Sequence, residues 1–248
     1  MNRNIELSVV ESKYFNNGKI ILEYIEELKS DIEIALGTQI RVKEANRKRK
    51  GFKYTGVDAA SLNKEIRNTF KNITGLQLET MVKDGIFCQK GKEGFDFASY
   101  DKDYNFAEFW NKFYGENVLK NAKEQGMQFS KYMGYSKLDW LSYLKANQHN
   151  VGENILVDKS SLTIVGEIQF GNWGLLYKDM FRLLSADVYP GVDLYIYITA
   201  TGKLFNDLSD QIVNFKAAKK IISENARLIR TPIWLIGIDY VEFDFVEV

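Results

Sequence analysis

The segment "LTIVGEIQFGNWGLLYKDMFRLLSA" (162–186) joins a strand pattern to a helix pattern. Its first part, 162–170, is apolar at nearly every position, which predicts a strand buried on both faces. Its second part, 174–186, has the apolar spacing of an amphipathic helix. The order then repeats, with a strand expected at 193–199 ("DLYIYIT"), a helix near 207–225 and a strand at 233–238 ("IWLIGI"). Strands that alternate with helices predict an α/β fold with helices on both faces of a sheet.

The first 150 residues predict two further helices and one charged segment. Helices are expected at 18–37 and 58–73, where apolar residues recur at spacings of three and four and a glycine follows. Between them, "RVKEANRKRKGFK" (41–53) holds seven basic residues and one acid, and we expect a loop. The aromatic-rich stretch 76–150 is expected to be largely helical. Without repeats or linkers, residues 1–248 are interpreted as one domain, with 76–150 as a helical insertion.

Composition narrows the classes of protein that this chain can be. A single cysteine, Cys88, excludes an intrachain disulfide and a cysteine-based zinc site, and a single histidine, His149, excludes a metal site built from several histidines. The formal net charge is zero, so attraction to nucleic acid must come from a local patch such as 41–53. No apolar run reaches membrane-spanning length and the first residues lack an apolar signal region, so we expect a cytoplasmic protein.

Glu167 is the anomaly of the first strand, because burying a carboxylate is costly without a partner or a metal ion. Asp158 lies nine residues upstream, at the end of an expected strand over 155–158. A hairpin of the two strands would bring both acids together. With the backbone carbonyl of Ile168 they would form an oxygen site suited to Mg²⁺ and to phosphodiester hydrolysis. Gln169, one pleat further on the same face, could donate a hydrogen bond to the attacking water or the phosphate, but it cannot act as a base.

The spacing of these acids also has a purely structural interpretation. Asp158 and Glu167 could be strand-end carboxylates that accept backbone N–H groups or form salt bridges. The acid-x-lysine pattern Glu27-x-Lys29 shows how weak spacing is by itself, because it falls within the first expected helix. The two interpretations remain open on spacing alone.

The segment from Asp158 through "GEIQFGNW" to "LLYKDMFRLLSADVYPGVDLYIYIT" resembles type II restriction endonucleases of the BglII, BstYI and BamHI group. An acid, an eight-residue gap, Glu-x-Gln and then Phe is the active-site pattern of that group, and Asp158, Glu167, Gln169 and Phe170 match it. The stretches "TPIWLIGI" and "RVKEANRKRKGFKYTGVDAASLNKEI" are also similar to segments of those enzymes. The resemblance covers about two-thirds of the chain and is weakest over 76–150.

The resemblance implies a PD-(D/E)XK fold, in which a central mixed sheet is flanked by helices in a single catalytic and DNA-recognition domain. It further implies a homodimer of a restriction-modification system that cuts double-stranded DNA with Mg²⁺ at a site centred on GATC. Asp158, Glu167 and the Ile168 carbonyl would bind the metal ion, and Gln169 would stand where many relatives have lysine.

The resemblance also implies candidate DNA contacts. Asn172, in the loop after the Glu-x-Gln strand, is the first base-reading candidate, and Arg182 falls at a polar position of the family. The loop "ATGKLFNDLSDQ" (200–211) adds candidates that could equally cap a helix: Lys203, Asn206, Asp207, Ser209 and Asp210. Phosphate contacts are expected from the basic segment: Arg47, Lys48, Arg49 and Lys50.

Two other functions stay open at this point. The chain could be a nuclease of the same fold that acts on DNA damage or on DNA structures such as junctions. Alternatively, it could be a non-catalytic DNA-binding protein in which the acids Asp158 and Glu167 are structural.

Overall fold

The computed structural model describes residues 2–49, 52–89, 94–188, 191–209 and 211–243. Nine strands occur within these ranges: β1 (Asn2–Phe15), β2 (Gln39–Arg49), β3 (Phe52–Val57), β4 (Gln77–Lys83), β5 (Ile86–Cys88), β6 (Phe95–Ser99), β7 (Ile164–Gln169), β8 (Leu194–Ala200) and β9 (Ile233–Glu242). The same ranges contain nine α-helices: α1 (Gly18–Tyr24), α2 (Glu26–Ala35), α3 (Ala59–Phe70), α4 (Lys102–Tyr114), α5 (Ala122–Phe129), α6 (Lys137–Ala146), α7 (Trp173–Val188), α8 (Gly202–Asp207) and α9 (Phe215–Asn225).

The strands form one mixed sheet in the order β3-β2-β1-β9-β8-β7-β6-β4-β5. Strands β7, β8 and β9 run parallel to one another at its centre. The remaining neighbours are antiparallel. The predicted fold class, a mixed sheet flanked by helices, is confirmed.

Two apolar layers cover the faces of this sheet, because neighbouring residues of a strand point to opposite sides. Ile196 and Ile198 pack with residues of α1, α2 and α3 on one face. Tyr195 and Tyr197 pack on the other face with residues of α7 and α9. The central strands are therefore buried on both sides, as their continuous apolar runs predict.

A third, aromatic cluster holds α4, α5 and α6 together. Its fully buried rings include Trp110, Trp140 and Phe109, and Trp140 donates a hydrogen bond from Nε1 to the Tyr114 hydroxyl at 2.8 Å. These helices lie between β6 and β7 in the chain. None of the helices in the described ranges is long and apolar enough to span a bilayer.

Most expected helices and strands occur where the sequence places them. Strands were expected at 162–170, 193–199 and 233–238, and they form β7, β8 and β9. The helix expected at 174–186 forms α7. The helix expected at 58–73 forms α3, whose N-cap Asp58 accepts a hydrogen bond from the Ser61 N–H.

Four expectations about secondary structure are wrong in part. The helix expected at 18–37 is broken at Ile25 into α1 and α2. The segment 41–53 was expected to be a loop, but it forms most of the β2–β3 hairpin, in which β2 and β3 pair in antiparallel register. The first third of 76–150 forms β4, β5 and β6, and only its later part is helical. The helix expected at 207–225 begins at Phe215, where the Asn214 side chain caps it.

Gly166 of β7 allows a buried ring to lie against the central strand. Gly166 pairs with Phe97 of β6, and a Cβ at Gly166 would overlap the Phe97 ring. Phe97 is fully buried, and its ring packs edge-on against Phe70 with the ring centroids 5.1 Å apart. This contact fixes the approach of β6 to β7, on which the candidate site depends.

We expect Gly166→Ala to lower the free energy of unfolding by about 1–3 kcal/mol, the usual cost of overpacking a core. Urea denaturation of the purified protein measures this change. Gly37→Ala is the matched control, because its Cβ would meet only backbone oxygens at 3.4 and 3.6 Å. Equal effects of the two substitutions would contradict the proposed packing.

Candidate active site

The pairing of β6 with β7 brings two acids together. Phe97 pairs with Gly166 in antiparallel register, so the next pair along the two strands is Asp96 with Glu167. Asp96 Oδ2 accepts a hydrogen bond from the Ile168 N–H at 2.7 Å. Glu167 is only 4% exposed. The carboxylate beside Glu167 therefore comes from β6.

The expected hairpin of 155–158 with 162–170 is wrong. The segment 154–163 forms no strand, and β6 already occupies the edge of β7 at which that strand would pair. Asp158 is exposed within this segment. The segment is held elsewhere, because the Ile155 N–H donates to Asn111 Oδ1 at 2.7 Å and the Ser160 hydroxyl donates to Asp101 at 2.6 Å. The pairing of Asp158 with Glu167 therefore fails, and Asp96 takes its place.

Helix α7 adds a cation, Arg182, and a third acid, Asp179, beside Glu167. Arg182 Nη1 forms an ion pair with Glu167 Oε1 and lies 3.4 Å from Asp179 Oδ1. Gln169 donates from Nε2 to Asp179 Oδ2 at 2.9 Å, and its Oε1 accepts from the Gly171 N–H at 2.8 Å. The side chain of Gln169 is thus fixed in orientation by Asp179.

Burial dominates the electrostatics of these carboxyl groups. Burial raises the pKa of Glu167 well above its usual value, the charges of Asp96 and Asp179 raise it further, and Arg182 opposes them. Burial likewise raises the pKa of Asp179 to about 6. The pKa of Asp96 is also raised by burial, although Arg67 opposes this shift. Clustered acids with raised pKa values are typical of functional sites.

Helix α3 approaches the same point from the other side of the sheet. Asn63 Nδ2 donates to the Ile168 carbonyl oxygen at 3.3 Å, and Arg67 Nη2 forms an ion pair with Asp96 Oδ1. Within the described ranges, the buried Asn63 Oδ1 has no hydrogen-bond partner. A buried acceptor without a donor is costly, so this oxygen is suited to a water molecule or a cation.

The oxygen atoms of Asp96, Glu167 and Ile168 are of the types that a hard divalent cation binds. Asp96 and Glu167 supply carboxylates and Ile168 a carbonyl, whereas the unpartnered amide oxygen of Asn63 approaches from the α3 side of the sheet. In the part of the chain that the structure describes, no three His, Cys, Asp or Glu side chains form a metal cage. Water and substrate phosphate would complete the coordination, as is usual for Mg²⁺.

The structure brings several expected DNA contacts to one place, the carboxyl end of β7 and β8. The β2–β3 hairpin meets the segment after β8, since the Tyr54 hydroxyl donates to the Leu208 carbonyl at 2.8 Å. Asn172 forms a β-bridge with Ile212, just beyond that segment. The basic hairpin, the segment after β8 and the loop after β7 are therefore neighbours.

Some of the expected DNA-contacting side chains are engaged within the chain. Arg47 donates to the Val57 carbonyl at 3.0 Å, and Asn206 donates to the Gly202 carbonyl at 3.0 Å. Lys203 donates to Glu242 at 2.7 Å. Asp207 accepts a hydrogen bond from the Tyr240 hydroxyl and forms an ion pair with Arg3. These groups would have to exchange intrachain partners for DNA.

Other candidates are exposed or lie outside the described region. Asn172 and Lys48 are exposed, although Asn172 Oδ1 accepts from the Gly174 N–H at 3.1 Å. Ser209 is partly exposed. The structure describes neither Lys50, Asp210 nor the side chain of Arg49. Arg182 was expected to contact DNA, whereas here it is largely buried against Glu167.

Sequence reasoning missed Asp96, Asp179, Arg67 and Asn63. Asp179 carried a signal, because an acid stood three residues after Leu176 and four before Leu183 on the apolar face of a predicted helix. Asp96 carried a weaker one, an acid inside the short apolar run "FDFA". The remaining two lie on a helix whose orientation the sequence does not specify.

Comparison with known proteins supports a single family. The sequence model of the restriction endonuclease BglII/BglIII family matches residues 10–238, nearly the whole chain. No individually curated protein matches. Enzymes of this family generally depend on divalent metal ions.

Two solved structures of restriction endonuclease BglII are similar to this chain. A crystal structure of restriction endonuclease BglII complexed with a DNA 16-mer is 13% identical and covers 92% of this chain and 74% of that one, with a TM-score of 0.48. Free BglII is 12% identical, covers 96% and 81% of the two chains, and has a TM-score of 0.44. The family match rests on sequence along almost the entire chain. The chain therefore belongs to the BglII/BglIII family of restriction endonucleases and is a site-specific deoxyribonuclease.

Proposed function

We propose that the protein is a homodimeric type II restriction endonuclease that uses Mg²⁺ to cut both DNA strands within a short palindrome centred on GATC. Cleavage would leave a 5′-phosphate and a 3′-hydroxyl. The observation that carries the proposal is the meeting of Asp96 and Glu167 on β6 and β7, with Gln169 one pleat further on. The basic β2–β3 hairpin lies at the same end of the sheet.

Asp96 and Glu167 would hold the metal ion together with the Ile168 carbonyl, to which Asn63 donates a hydrogen bond from the α3 side of the sheet. When bound, the ion supplies Lewis acidity that neutralises charge on the phosphate and makes water a stronger nucleophile. Arg67 pairs with the Asp96 carboxylate, which orients it and opposes the rise of its pKa on burial. Asp179 holds the Gln169 amide, which can donate to the phosphate but cannot accept a proton from water.

Arg182 balances the buried negative charge of the proposed metal site. It pairs with Glu167 and Asp179, and so compensates the buried negative charge before any cation enters. If Glu167 held a divalent cation, this compensation by Arg182 would be redundant. Arg182 would then be able to contact DNA, the role that the sequence resemblance assigns to it.

Base reading would come from the loops at the carboxyl end of β7 and β8. Asn172 and Ser209 are our leading candidates, because both are at least partly exposed there. Amide and hydroxyl groups suit the edges of adenine and other bases in the major groove. Run-off sequencing of cut plasmid DNA would identify the palindrome, and a site without GATC would contradict that part of the proposal.

Dimerisation would use the outer face of α7. Phe181 and Tyr177 on this helix are 70% and 49% exposed, and Leu228 after α9 is 72% exposed. Tyr177, Phe181 and Leu228 line an apolar cleft between the two helices. Because a palindrome has two-fold symmetry, cutting both of its strands requires two active sites related by the same two-fold axis. A second copy of α7 packed against the first would bury Tyr177, Phe181 and Leu228.

We expect Asp96→Asn and Glu167→Gln each to reduce plasmid cleavage with Mg²⁺ by more than about 100-fold, because each removes several kcal/mol of charge stabilisation. Asp158→Asn is the matched control and should cut at the wild-type rate. Discrete bands from long linear DNA would also separate sequence-specific cutting from a structure-specific nuclease. Full activity of Asp96→Asn, or loss of activity in Asp158→Asn, would contradict the assigned site.

We expect Phe181→Glu to convert a dimer to a monomer in sedimentation experiments, because a charge would then occupy the apolar face of α7. Tyr24→Glu is the control, since Tyr24 is 81% exposed on α1 at the opposite face of the sheet. A wild-type protein that is monomeric at micromolar concentration, or a Phe181→Glu variant that still dimerises, would count against this interface.

A further inference from the structure

Helix α3 carries a row of three cations, of which the cleavage chemistry above uses only Arg67. Lys64, Arg67 and Lys71 follow one another at spacings of three and four residues, so they share one face of the helix. This face forms the wall of an open groove of about 530 Å³. The groove is lined by: Ala60, Asn63, Lys64, Arg67, Asn68, Lys71, Leu78 and Glu79.

The groove lies beside the candidate active site, on the α3 side of the sheet. Asn63 on its wall contacts the Ile168 carbonyl, between the positions of Glu167 and Gln169. Arg67, one turn further along α3, is paired with Asp96. A chain lying in the groove would therefore pass the two α3 side chains that contact β7 and Asp96.

The charges along the groove favour an anion. Three cations face one carboxylate, Glu79, which pairs with Arg67 at 3.0 Å. Lys71 Nζ donates to Asn68 at 3.0 Å, and Lys64 is exposed with no ion-pair partner among the residues that the structure describes. Because Arg67 is occupied by Asp96 and Glu79, Lys64 and Lys71 are the two cations available to a ligand.

We propose that this groove binds the sugar–phosphate backbone of the DNA strand next to the scissile phosphate. The proposal rests on the DNA-cleaving function proposed above. Lys64 and Lys71 lie two helical turns apart, about 10 Å along the axis, and each contacts a separate phosphate. Such contacts set the register of the strand in the active site without reading its sequence.

Phosphate contacts have a quantitative signature, because each one releases counterions from DNA. The slope of log binding constant against log salt concentration is negative, and it becomes less steep by about 0.9 for each phosphate contact that is lost. The double variant Lys64→Ala/Lys71→Ala should therefore make the slope less steep by about 1.8 between roughly 50 and 200 mM salt. The loss of affinity should be the same for duplexes of any sequence.

The experiment measures binding of a short random-sequence duplex to the full-length protein in EDTA, by fluorescence anisotropy. Lys220→Ala is the matched control, because Lys220 is an exposed lysine on α9, which packs on the opposite face of the sheet. Its salt slope should equal that of the wild type. Glu79→Gln removes the one carboxylate that lines the groove among the residues described by the structure, and it should tighten binding, an increase that misfolding cannot produce.

The possible outcomes separate this proposal from the function on which it rests. If the wild type binds no duplex DNA, the proposed function and the groove fail together. If the wild type binds but the double variant keeps the wild-type slope, or Glu79→Gln fails to tighten binding, the groove proposal is overturned while the function stands.

Discussion

The antiparallel contact of β6 with β7 is the interaction on which the candidate active site depends. It places Asp96 opposite Glu167, and the hydrogen bond from the Ile168 N–H to Asp96 holds that register. Gly166 permits the approach, because its missing side chain leaves room for the Phe97 ring. The parallel strands β8 and β9 then support β7 from the other side.

The same contact concentrates negative charge in the interior. Asp96, Glu167 and Asp179 are acids with little or no exposure, and burial raises the pKa of each. Such a cluster is costly unless cations compensate it. Arg67 from α3 and Arg182 from α7 provide this compensation from opposite sides of the sheet. We propose that a divalent cation also contributes to this compensation, in line with the general metal dependence of the family.

Local sequence patterns predict the central part of this fold well. Continuous apolar runs predict β7, β8 and β9, because strands buried on both faces are apolar at successive positions. Apolar residues at helical spacing predict α3 and α7, because each helix buries one stripe of its surface. The sequence also singles out Glu167 as a buried acid and carries the resemblance that the family match confirms.

The partner of Glu167 could not be predicted in the same way. Asp96 and Ile168 are 72 positions apart, and strand pairing over such a distance leaves no periodic signal. Asp158 satisfied the expected spacing, yet its segment is held by Asn111 and Asp101 away from the edge of β7. The three helices between β6 and β7 separate the two acids in the chain while the sheet joins them in space.

Metal binding without DNA tests the central claim most directly. Calorimetric titration with Mn²⁺ should show binding to the wild type and to Asp158→Asn, and no binding to Asp96→Asn or Glu167→Gln, since two buried carboxylates are needed to hold the ion. Binding that survives in Asp96→Asn and disappears in Asp158→Asn would contradict the account.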